Sequence, residues 1–405
     1  MASSILEALD IIANNITVID TEIIPIEMSV GRVVTEDYIA IYDLPRFNNS
    51  AMDGYAVKVD DAGKEVTSSQ VIYAGDNPTM TLEKKEAIKI MTGAPIPKGC
   101  EAIVPIEDMT LKDDLITLPL HIKQNGFIRM AGEDIQKGTI FLKKGETINA
   151  YTVASLASQG MTHVSVHRLI KVAIFGTGDE LRPHFEKIAD HQLYNSNSPM
   201  FLTRSKELGC DVRFIRTAAD TLEALERSIQ STLDADIIIT SGGVSVGDKD
   251  FTKVAFTNLG MNVLIDKIDI KPGRPTVIGK IDKTVVVNLP GNPLASMVNY
   301  ELFVRAIIRK LSGKTDIYHN TLHTVMKNDY VLRGGKNAVV LGTFDGKCFK
   351  ALSPQMPGMV SPMQKADGLV LVMPNVTKLE KNSTVSMIPI KWELCSNKQE
   401  ELFTK

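Results

Sequence analysis

The stretch Asp236–Asp250, which reads DIIITSGGVSVGDKD, decides the fold of this chain. Ile237 to Ile239 predict a buried strand, and the segment then breaks into a loop that contains Gly242 and Gly243. Glycines adopt positive φ angles and leave backbone N–H groups open to a ligand, and the N-terminus of a following helix favours anions. The order strand, glycine loop, helix therefore predicts a site for a phosphate-like anion.

Carboxylates and cations surround this loop in the sequence. Asp250 stands where the next helix is predicted to begin, and Asp248 and Asp250 together suit a hydrated Mg²⁺ ion. A helix dipole contributes only about 0.3 to 1 kcal/mol toward an anion, so tight binding requires cationic side chains as well. We expect this positive charge to come from Lys267, Lys271 and Arg274.

The segment Lys271–Pro275 reads KPGRP, and its prolines stiffen the backbone on which Lys271 and Arg274 stand. Such a backbone lets both cations approach a tetrahedral oxyanion at little cost in ordering. Lys267 precedes Lys271 by four residues, so the two side chains would face the same side of an extended strand. Taken alone, the segment is equally typical of an exposed β-turn.

The composition of the 405 residues limits the class of protein. The length predicts two to four domains, and a net charge of −3 with dispersed charges excludes a strongly basic face for nucleic acid. The four cysteines are scattered singly, which is typical neither of a disulfide framework nor of a zinc site and suits a reducing compartment. The first residues lack a signal peptide, and no apolar run reaches membrane-spanning length. We expect a cytoplasmic protein that binds no membrane.

The pattern of apolar residues predicts a multidomain protein of the α/β plus β class. Alternating strands and helices favour a three-layer α/β domain with a mainly parallel sheet, whereas the flanking segments have β-type patterns. The predicted parts are an N-terminal helix at 1–20 that docks on the α/β domain, a discontinuous linker domain at 21–44 and 139–168, an inserted mainly β domain at 45–138, the α/β domain at 169–318, and a C-terminal β-barrel-like domain at 319–405.

Three loops of the α/β domain each follow a predicted strand: Gly176–Glu180, the loop after Ile239, and Leu289–Pro293. Ligands of open α/β sheets bind beyond the carboxyl ends of the strands, so we expect these loops to meet in one crevice. The G-x-G-x-x-G pattern is incomplete because residue 181 is leucine, which argues against a dinucleotide site. Glu180 becomes a candidate metal ligand beside Asp248 and Asp250. Each loop taken alone is better explained by a tight turn, and only the three together favour a phosphate site.

The predicted β domain has three polar loops, Asn48–Tyr55, Thr92–Gly99 and Gly132–Asp134. Asp, Asn, Thr and Gly are common in turns for local backbone reasons, so composition alone leaves these loops structural. The histidines have no metal-binding spacing, and no arrangement for nucleophilic catalysis can be inferred.

Seven segments, taken in order, together resemble one family. They are Asn49–Val57, Thr92–Pro95, Gly132–Asp134, Gly176–Leu181, Ser241–Gly247, Lys271–Gly273 and Leu289–Pro293. The chain resembles the molybdopterin molybdenumtransferases, a family that includes bacterial MoeA and the E domain of gephyrin, over roughly Ile5 to Met373. The resemblance implies a homodimer of four-domain subunits with the active site at the subunit interface. It also implies the reaction, in which molybdate is inserted into adenylated molybdopterin with Mg²⁺-dependent release of AMP.

The resemblance and the loop patterns together assign roles to individual residues. The catalytic candidates are Asp53, Thr92, Asp134, Glu180, Asp250, Lys267 and Lys271. The candidates for substrate binding are Ser241, Gly242, Gly243, Ser245, Gly247, Asp220, Lys271, Arg274, Pro290, Gly291, Asn292 and Arg333, and those for Mg²⁺ are Asp248, Asp250 and Glu180. A molybdopterin adenylyltransferase and the proteins that mature molybdoenzymes are the expected partners.

The chain also departs from the family pattern. Arg274 stands where relatives often have lysine, and Gln355–Gly358 lacks the glycine and serine that usually follow the glutamine. Ser361 is the candidate to replace the missing hydroxyl. Two alternative functions stay open at this point: adenylylation of molybdopterin, and a scaffold that keeps the fold without turnover.

Overall fold

The computed structural model describes residues 2–68, 70–112, 115–178, 180–215, 221–243 and 251–391. Within these ranges the α-helices are Ile5–Asn15, Ala150–Ser158, Asn197–Glu207, Leu222–Gln230, Phe251–Asn258, Pro293–Asn299, Arg305–Leu311 and Ser361–Lys365, and a π-helical turn at Tyr300–Val304 joins the sixth helix to the seventh. The apolar pattern of the sequence predicts one long helix from Pro293 to Leu311, and the structure confirms it.

A six-stranded sheet forms the centre of the middle third of the chain. Its strands, in spatial order, are Asp211–Phe214, Lys171–Gly176, Ile237–Ser241, Thr284–Leu289, Val277–Ile281 and Asn262–Ile265. The first four run parallel, as predicted, and Val277–Ile281 runs antiparallel to both of its neighbours, Thr284–Leu289 and Asn262–Ile265. Short strands at Leu181–Arg182 and Leu193–Tyr194 pair beside this sheet.

The apolar pattern of the sequence predicts one strand region around 263–270 and no strand at Val277–Ile281, so the antiparallel edge differs from the prediction. The chain turns from Val277–Ile281 into Thr284–Leu289 through only two residues, Asp282 and Lys283, and Asp282 has a φ of +50°. A two-residue connection is far too short for the crossover that parallel strands need, so the two strands must be antiparallel. The regular strand before them ends at Ile265.

Helices pack on both faces of the sheet because successive residues of a strand point to opposite faces. Ile174 and Ile239 belong to a core that includes Phe201 of the helix Asn197–Glu207. Their neighbours on the strands, Phe175 and Ile238, belong to a second core with Leu225 and Phe256 of other helices.

The N-terminal helix Ile5–Asn15 packs on this domain. Ser4 caps it in a reciprocal arrangement with Glu7, and its buried face joins the core that contains Ile307 and Leu311. Ile12 is only 1% exposed, whereas Leu6 on the opposite face is 73% exposed.

Strand pairing connects two distant parts of the first 170 residues. Thr21–Pro25 pairs with His163–His167, and Tyr38–Ile39 pairs with Ile140–Leu142. The strands between them are Asn49–Ser50, Gly54–Val57, Glu65–Thr67, Val71–Ile72, Ile88–Ile90, Ala102–Pro105, Thr110–Lys112, Leu115–Thr117 and Ile128–Arg129. These strands pair among themselves, as an inserted domain would, and the domain boundaries given above stay a prediction.

The C-terminal part contains a closed five-stranded barrel, which confirms the barrel-like prediction. Its strands are Leu322–Met326, Cys348–Ala351, Ala338–Phe344, Gly368–Val372 and Thr384–Pro389, and two shorter strands, Tyr330–Val331 and Lys378–Leu379, pair outside it. None of the helices in the described part of the chain is both long and apolar enough to cross a membrane.

Ile12→Ala tests the packing of the N-terminal helix. Removing this buried side chain should lower the free energy of unfolding of the α/β part by about 2–5 kcal/mol, because the change combines a lost transfer term with a cavity. Leu6→Ala on the exposed face is the matched control and should cost less than about 0.5 kcal/mol. Urea unfolding of the full chain measures both, and equal losses would contradict the docking of this helix.

Candidate functional site

The three predicted loops of the α/β domain meet at one end of the sheet, as expected. Thr177 N–H donates a hydrogen bond to the Ser241 carbonyl at 3.1 Å, and Gly242 N–H donates to the Leu289 carbonyl at 3.2 Å. A Cβ on Gly291 would lie 3.7 Å from the Cα of Gly242, which shows how closely the loops approach.

Two positions in this crevice require glycine for reasons that the sequence predicted. Gly242 has a φ of +98° and Gly243 a φ of +65°. A Cβ on Gly243 would lie 2.1 Å from Oγ1 of Thr252, and one on Gly242 would lie 2.7 Å from the Thr177 carbonyl oxygen. Any other residue would therefore meet both an unfavourable backbone conformation and a steric clash.

A residue that the sequence analysis missed ties the loops together. The amide Nδ2 of Asn197, at the start of a helix, donates to Oγ of Ser241 at 2.7 Å and to the Gly291 carbonyl at 2.9 Å. Ser296 donates to carbonyls of the same loop, those of Pro290 and Asn292. The sequence predicts a helix after Pro199, and the polar run 195–198 before it indicates only local hydrogen bonds at a helix start, so it does not reveal these long-range partners.

Several buried polar atoms around this crevice have no hydrogen-bond partner in the described ranges. They are Oδ1 of Asn197, Oγ1 of Thr252, Nδ2 of Asn288 and Oδ1 of Asn299. Buried polar atoms are nearly always satisfied in folded proteins, so a group of exceptions at one place needs an explanation. A polar ligand is one such explanation.

The carboxylate of Glu180 lies beside this crevice, with Oε2 2.7 Å from the position of a Cβ on Gly178. The other two candidate metal ligands, Asp248 and Asp250, lie outside the described residues, as do the predicted substrate-binding residues Asp220, Ser245 and Gly247. Among the residues that the structure describes, no group of three or more His, Cys, Asp or Glu side chains is placed to hold a metal ion.

A second crevice lies where the α/β domain meets the barrel. Lys271 and Arg333 both line this cavity of about 230 Å³, together with Tyr330, Gln355 and Met356. Backbone hydrogen bonds fix Lys271 against the barrel, since its N–H donates to the Asn337 carbonyl at 2.8 Å and its carbonyl accepts from Val339 N–H at 3.0 Å. Two cations far apart in the sequence thus share one cavity.

The loop that follows Lys271 packs on the long helix that begins at Pro293. Gly273 has a φ of +110°, and its carbonyl accepts a hydrogen bond from Nδ2 of Asn299 at 3.2 Å. Leu294 N–H donates to the Pro357 carbonyl at 2.9 Å. The cavity of Lys271 and Arg333 and the loop Pro290–Asn292 are therefore joined through the same helix.

Lys267 and Arg274 are both exposed, as is Lys271. The predicted continuous strand through 267–271 does not form, because only single bridges occur there, at Ile268 and Lys271. Burial nevertheless alternates, with Ile268 and Ile270 inside the core and the two lysines outside. The predicted continuous strand was therefore wrong. The alternating burial of successive residues nevertheless turns both Lys267 and Lys271 outward, as predicted.

Gln355, the glutamine that precedes the departure at 356–358, has a structural role. Its Oε1 accepts from Leu341 N–H at 2.8 Å, and its Nε2 donates to the hydroxyl of Tyr330 at 3.0 Å and to the Leu352 carbonyl at 2.8 Å. The side chain thus holds the barrel wall that carries the cavity.

The polar loops of the inserted part form a separate cluster. Oδ1 of Asp53 accepts hydrogen bonds from the backbone N–H of Thr92 at 2.7 Å and from its hydroxyl at 2.8 Å. The loop of Asp134 lies nearby, since Ala131 N–H donates to Oδ1 of Asn48 at 2.8 Å. Asp53, Thr92 and Asp134 are all exposed.

This cluster and the α/β loops are not joined within the part of one chain that the structure describes. No hydrogen bond or ion pair there connects Asp53, Thr92 or Asp134 with the loops that hold Ser241, Gly291 or Lys271. The sequence-predicted residues therefore form two groups, one on the inserted part and one on the α/β domain and barrel.

Comparisons with known proteins identify the family. Residues 3–160 match the model described as "MoeA N-terminal region (domain I and II)", and residues 173–310 match "Probable molybdopterin binding domain". The molybdopterin molybdenumtransferase of Haemophilus influenzae is 37% identical over 298 residues, which cover 73% of this chain and 74% of that protein. The chain belongs to the molybdopterin molybdenumtransferase family.

Further members of the family are similar over comparable lengths. The Staphylococcus epidermidis molybdopterin molybdenumtransferase is 34% identical over 315 residues, covering 76% of this chain and 75% of that protein. The crystal structure of a molybdopterin biosynthesis MoeA protein from Pyrococcus horikosii superposes with a TM-score of 0.82 at 27% identity, covering 97% of this chain and 100% of that one. The family fold, with several domains and the C-terminal barrel, is thus shared over nearly the whole chain.

The hydrogen bonds from Thr92 lower the pKa of Asp53, chiefly through the backbone N–H and next through the hydroxyl, with a smaller attraction from Lys89. These bonds favour the carboxylate, so their contribution to stability is present above the unfolded pKa of about 3.9 and is lost as the pH falls through the folded pKa.

Thr92→Val keeps the backbone bond, so the pKa of Asp53 should rise only part of the way toward its ordinary value. Carboxyl NMR titration measures this shift. Thr92→Ser should leave the wild-type pKa, and an unchanged pKa in Thr92→Val would contradict the assignment of the hydroxyl bond.

Proposed function

We propose that this protein acts in molybdenum cofactor biosynthesis and inserts molybdate into adenylated molybdopterin with Mg²⁺-dependent release of AMP. The observation that carries the proposal is the cavity shared by Lys271 and Arg333, which opens where the α/β domain meets the barrel. Membership of the molybdopterin molybdenumtransferase family supports the same reaction.

Molybdate is a tetrahedral dianion, and the cavity offers two kinds of cation for it. The guanidinium of Arg333 presents a planar fork of N–H groups, whereas the ammonium of Lys271 is a compact charge. Charge-assisted hydrogen bonds of this type are about twice as strong as neutral ones. Arg274, three residues after Lys271, adds a further exposed cation on the same loop.

The adenylated substrate contributes phosphates, which suit the loop Ser241–Gly243. Successive backbone N–H groups in loops with positive φ form concave sites for anions. The unsatisfied amide and hydroxyl groups of Asn197, Thr252 and Asn288 surround this loop and can pair with polar groups of a ligand. We assign Pro290, Gly291 and Asn292 to the opposite wall of the same site. Asp220, Ser245 and Gly247 complete the proposed substrate-binding set.

Glu180, Asp248 and Asp250 offer only oxygen donors, the chemistry that Mg²⁺ prefers. Glu180 follows Thr177 and Gly178 in a loop that bonds to the Ser241 carbonyl through Thr177 N–H, so we place the metal there, next to the phosphoanhydride. Bound Mg²⁺ would neutralise charge that develops as AMP leaves. Gly178 has no Cβ in the space that the Glu180 carboxylate occupies, so this carboxylate can lie close to the backbone of its loop.

The proposed active site is completed by a second copy of the chain. Asp53, Thr92 and Asp134 form a polar surface that is exposed on its own chain, and a homodimer would bring the partner's α/β loops to it. In this proposal the outward-facing Lys267 of the α/β domain lies near the polar surface formed by Asp53, Thr92 and Asp134. The adenylyltransferase that supplies the substrate and the proteins that receive the cofactor are the further partners that we propose, in the cytoplasm.

Lys271→Ala tests the oxyanion cavity. The variant should insert molybdenum about 10²- to 10³-fold more slowly, because it loses one charged group at the reacting oxyanion. The assay mixes purified protein with adenylated molybdopterin, Mg²⁺ and molybdate, and follows AMP release and molybdenum incorporation. Lys84→Ala, at a side chain that is 75% exposed and pairs with Asp60, is the matched control and should keep wild-type rates.

The same assay separates the proposal from its alternatives. Wild-type rates in Lys271→Ala would contradict the assignment of this residue. Production of adenylated molybdopterin from ATP by the wild-type protein would favour an adenylyltransferase, and absence of both activities would favour a scaffold.

A further inference from the structure

A third cavity, of about 110 Å³, lies between the linker segments and the α/β domain. Four stretches of chain line it, near residues 31–33, 167–170, 208–209 and 305–314. It shares no lining residue with the cavity of Lys271 and Arg333.

This cavity lies at the opposite end of the sheet from the candidate active site. Leu169 and Ile170 line it, and they immediately precede the strand Lys171–Gly176, so the cavity is at the amino end of the strands. The loops of Gly178, Gly242 and Gly291 leave the carboxyl ends. A ligand in this third cavity is therefore remote from the proposed reaction.

The lining is strongly cationic. Its charged members are Arg32, Arg168, Arg305, Arg309 and Lys314, together with His167, and the lining residues include no Asp or Glu. Surface cations are usually interspersed with carboxylates, so five in one small cavity with no carboxylate in its wall form a concentrated positive potential.

The carboxylates that pair with three of these arginines are not part of the cavity lining. Asp236 holds Arg168 by two hydrogen bonds of 2.7 Å, and Glu22 and Asp316 pair with Arg32 and Arg309. These three arginines are thereby fixed in position, with the carboxylates outside the cavity lining.

Arg305 and Lys314 are less well compensated. Arg305 is 3.7 Å from Glu301, whose carboxylate is already held by Arg204. Within the described ranges no hydrogen bond or ion pair engages the ammonium of Lys314. Burial is the main cause that lowers the pKa of both groups, and neighbouring arginines lower the pKa values further, while Glu301 partly offsets the effect for Arg305 and Asp316 for Lys314. The protein environment thus destabilises the cationic forms of Arg305 and Lys314, and a bound anion would stabilise them.

We propose that this cavity binds a small tetrahedral oxyanion of the phosphate or sulfate class, held between Arg305 and Lys314. A single water needs about 10–15 Å³ on the same measure, so 110 Å³ accommodates an ion of five heavy atoms and is too small for a nucleotide. The arginines supply planar N–H forks, which match the oxygens of such ions.

Binding would connect two parts of the chain. Arg32 and Arg168 belong to the linker segments, and Arg305, Arg309 and Lys314 belong to the last helix of the α/β domain and its C-terminal loop. One ion contacted from both sides would act as a bridge, so its binding stabilises the folded chain by mass action.

Lys314→Gln removes one cation from the cavity, and Lys310→Gln removes one from the preceding helix turn outside it. Inorganic phosphate should raise the melting temperature of the wild type and of Lys310→Gln in a saturable manner. For Lys314→Gln the dissociation constant from calorimetry should be about tenfold higher or more, because a charge-assisted hydrogen bond is lost. Lys314→Arg should restore binding.

Two controls separate this site from the proposed active site and from loss of folding. Phosphate binding with the same dependence on Lys314 should persist in Lys271→Ala, whatever the activity of that variant. Without phosphate, Lys314→Gln should melt at or above the wild-type temperature, since it relieves repulsion among the cations.

A crystal of the full chain soaked in selenate locates the ion by anomalous scattering. Density between Arg305 and Lys314 is the expected result. Equal phosphate binding by wild type and Lys314→Gln, or selenate bound only at exposed lysines, would overturn the proposal.

Discussion

The register of the parallel strands is the constraint on which the rest of the site depends. Gly176, Ser241 and Leu289 are register partners across three neighbouring strands, so the chain leaves the sheet at the same level three times. Parallel strands deliver their carboxyl ends to one edge, and the loops that follow must share the space there. The positive φ angles of Gly242 and Gly243 are a consequence, because that space admits backbone and no side chain.

Polar side chains then fix the loops that the register brings together. The Asn197 amide bonds to Ser241 and Gly291 at once, which ties the helix after the first loop to the other two loops. The helix that starts at Pro293 extends this arrangement to the barrel, through Asn299 to Gly273 and through Leu294 to Pro357. The cations of the second crevice are thus placed relative to the phosphate loop by a rigid element.

Charge is distributed over both ends of the same sheet. Lys271 and Arg333 stand in the crevice connected to the carboxyl ends, and the group that includes Arg305 and Lys314 stands at the amino ends. The net charge of −3 gives no sign of either group of cations, because the compensating carboxylates are spread over the rest of the chain. Local geometry, and not overall charge, creates the two cationic cavities that we propose as anion sites.

Local patterns predicted those features that depend on local physics. Gly242 and Gly243, the helix from Pro293 and the apolar strands were all readable, since backbone conformation and hydrophobic period determine them. The hairpin at Asp282 was missed because its strand, Val277–Ile281, has the same apolar pattern as a parallel one. Asn197 was missed because its partners lie 44 and 94 residues away in the sequence, and no local signal specifies a contact of that range.

The roles of Asp53, Thr92 and Asp134 came from the family resemblance, because polar turn residues look alike whether or not they bind a ligand. The composition of these loops neither predicts nor contradicts their placement on a separate surface. In the proposed homodimer, contacts between chains would join them to the α/β loops, and one sequence carries no pattern that specifies such contacts.

The most direct test of the central claim, that loops from distant parts of the chain form one oxyanion crevice, is a crystal structure of the full chain with molybdate and AMP. The account predicts molybdenum within hydrogen-bonding reach of Lys271 and Arg333, and the AMP phosphate on the loop Ser241–Gly243. Molybdate and AMP bound on surfaces that contain neither group would contradict it.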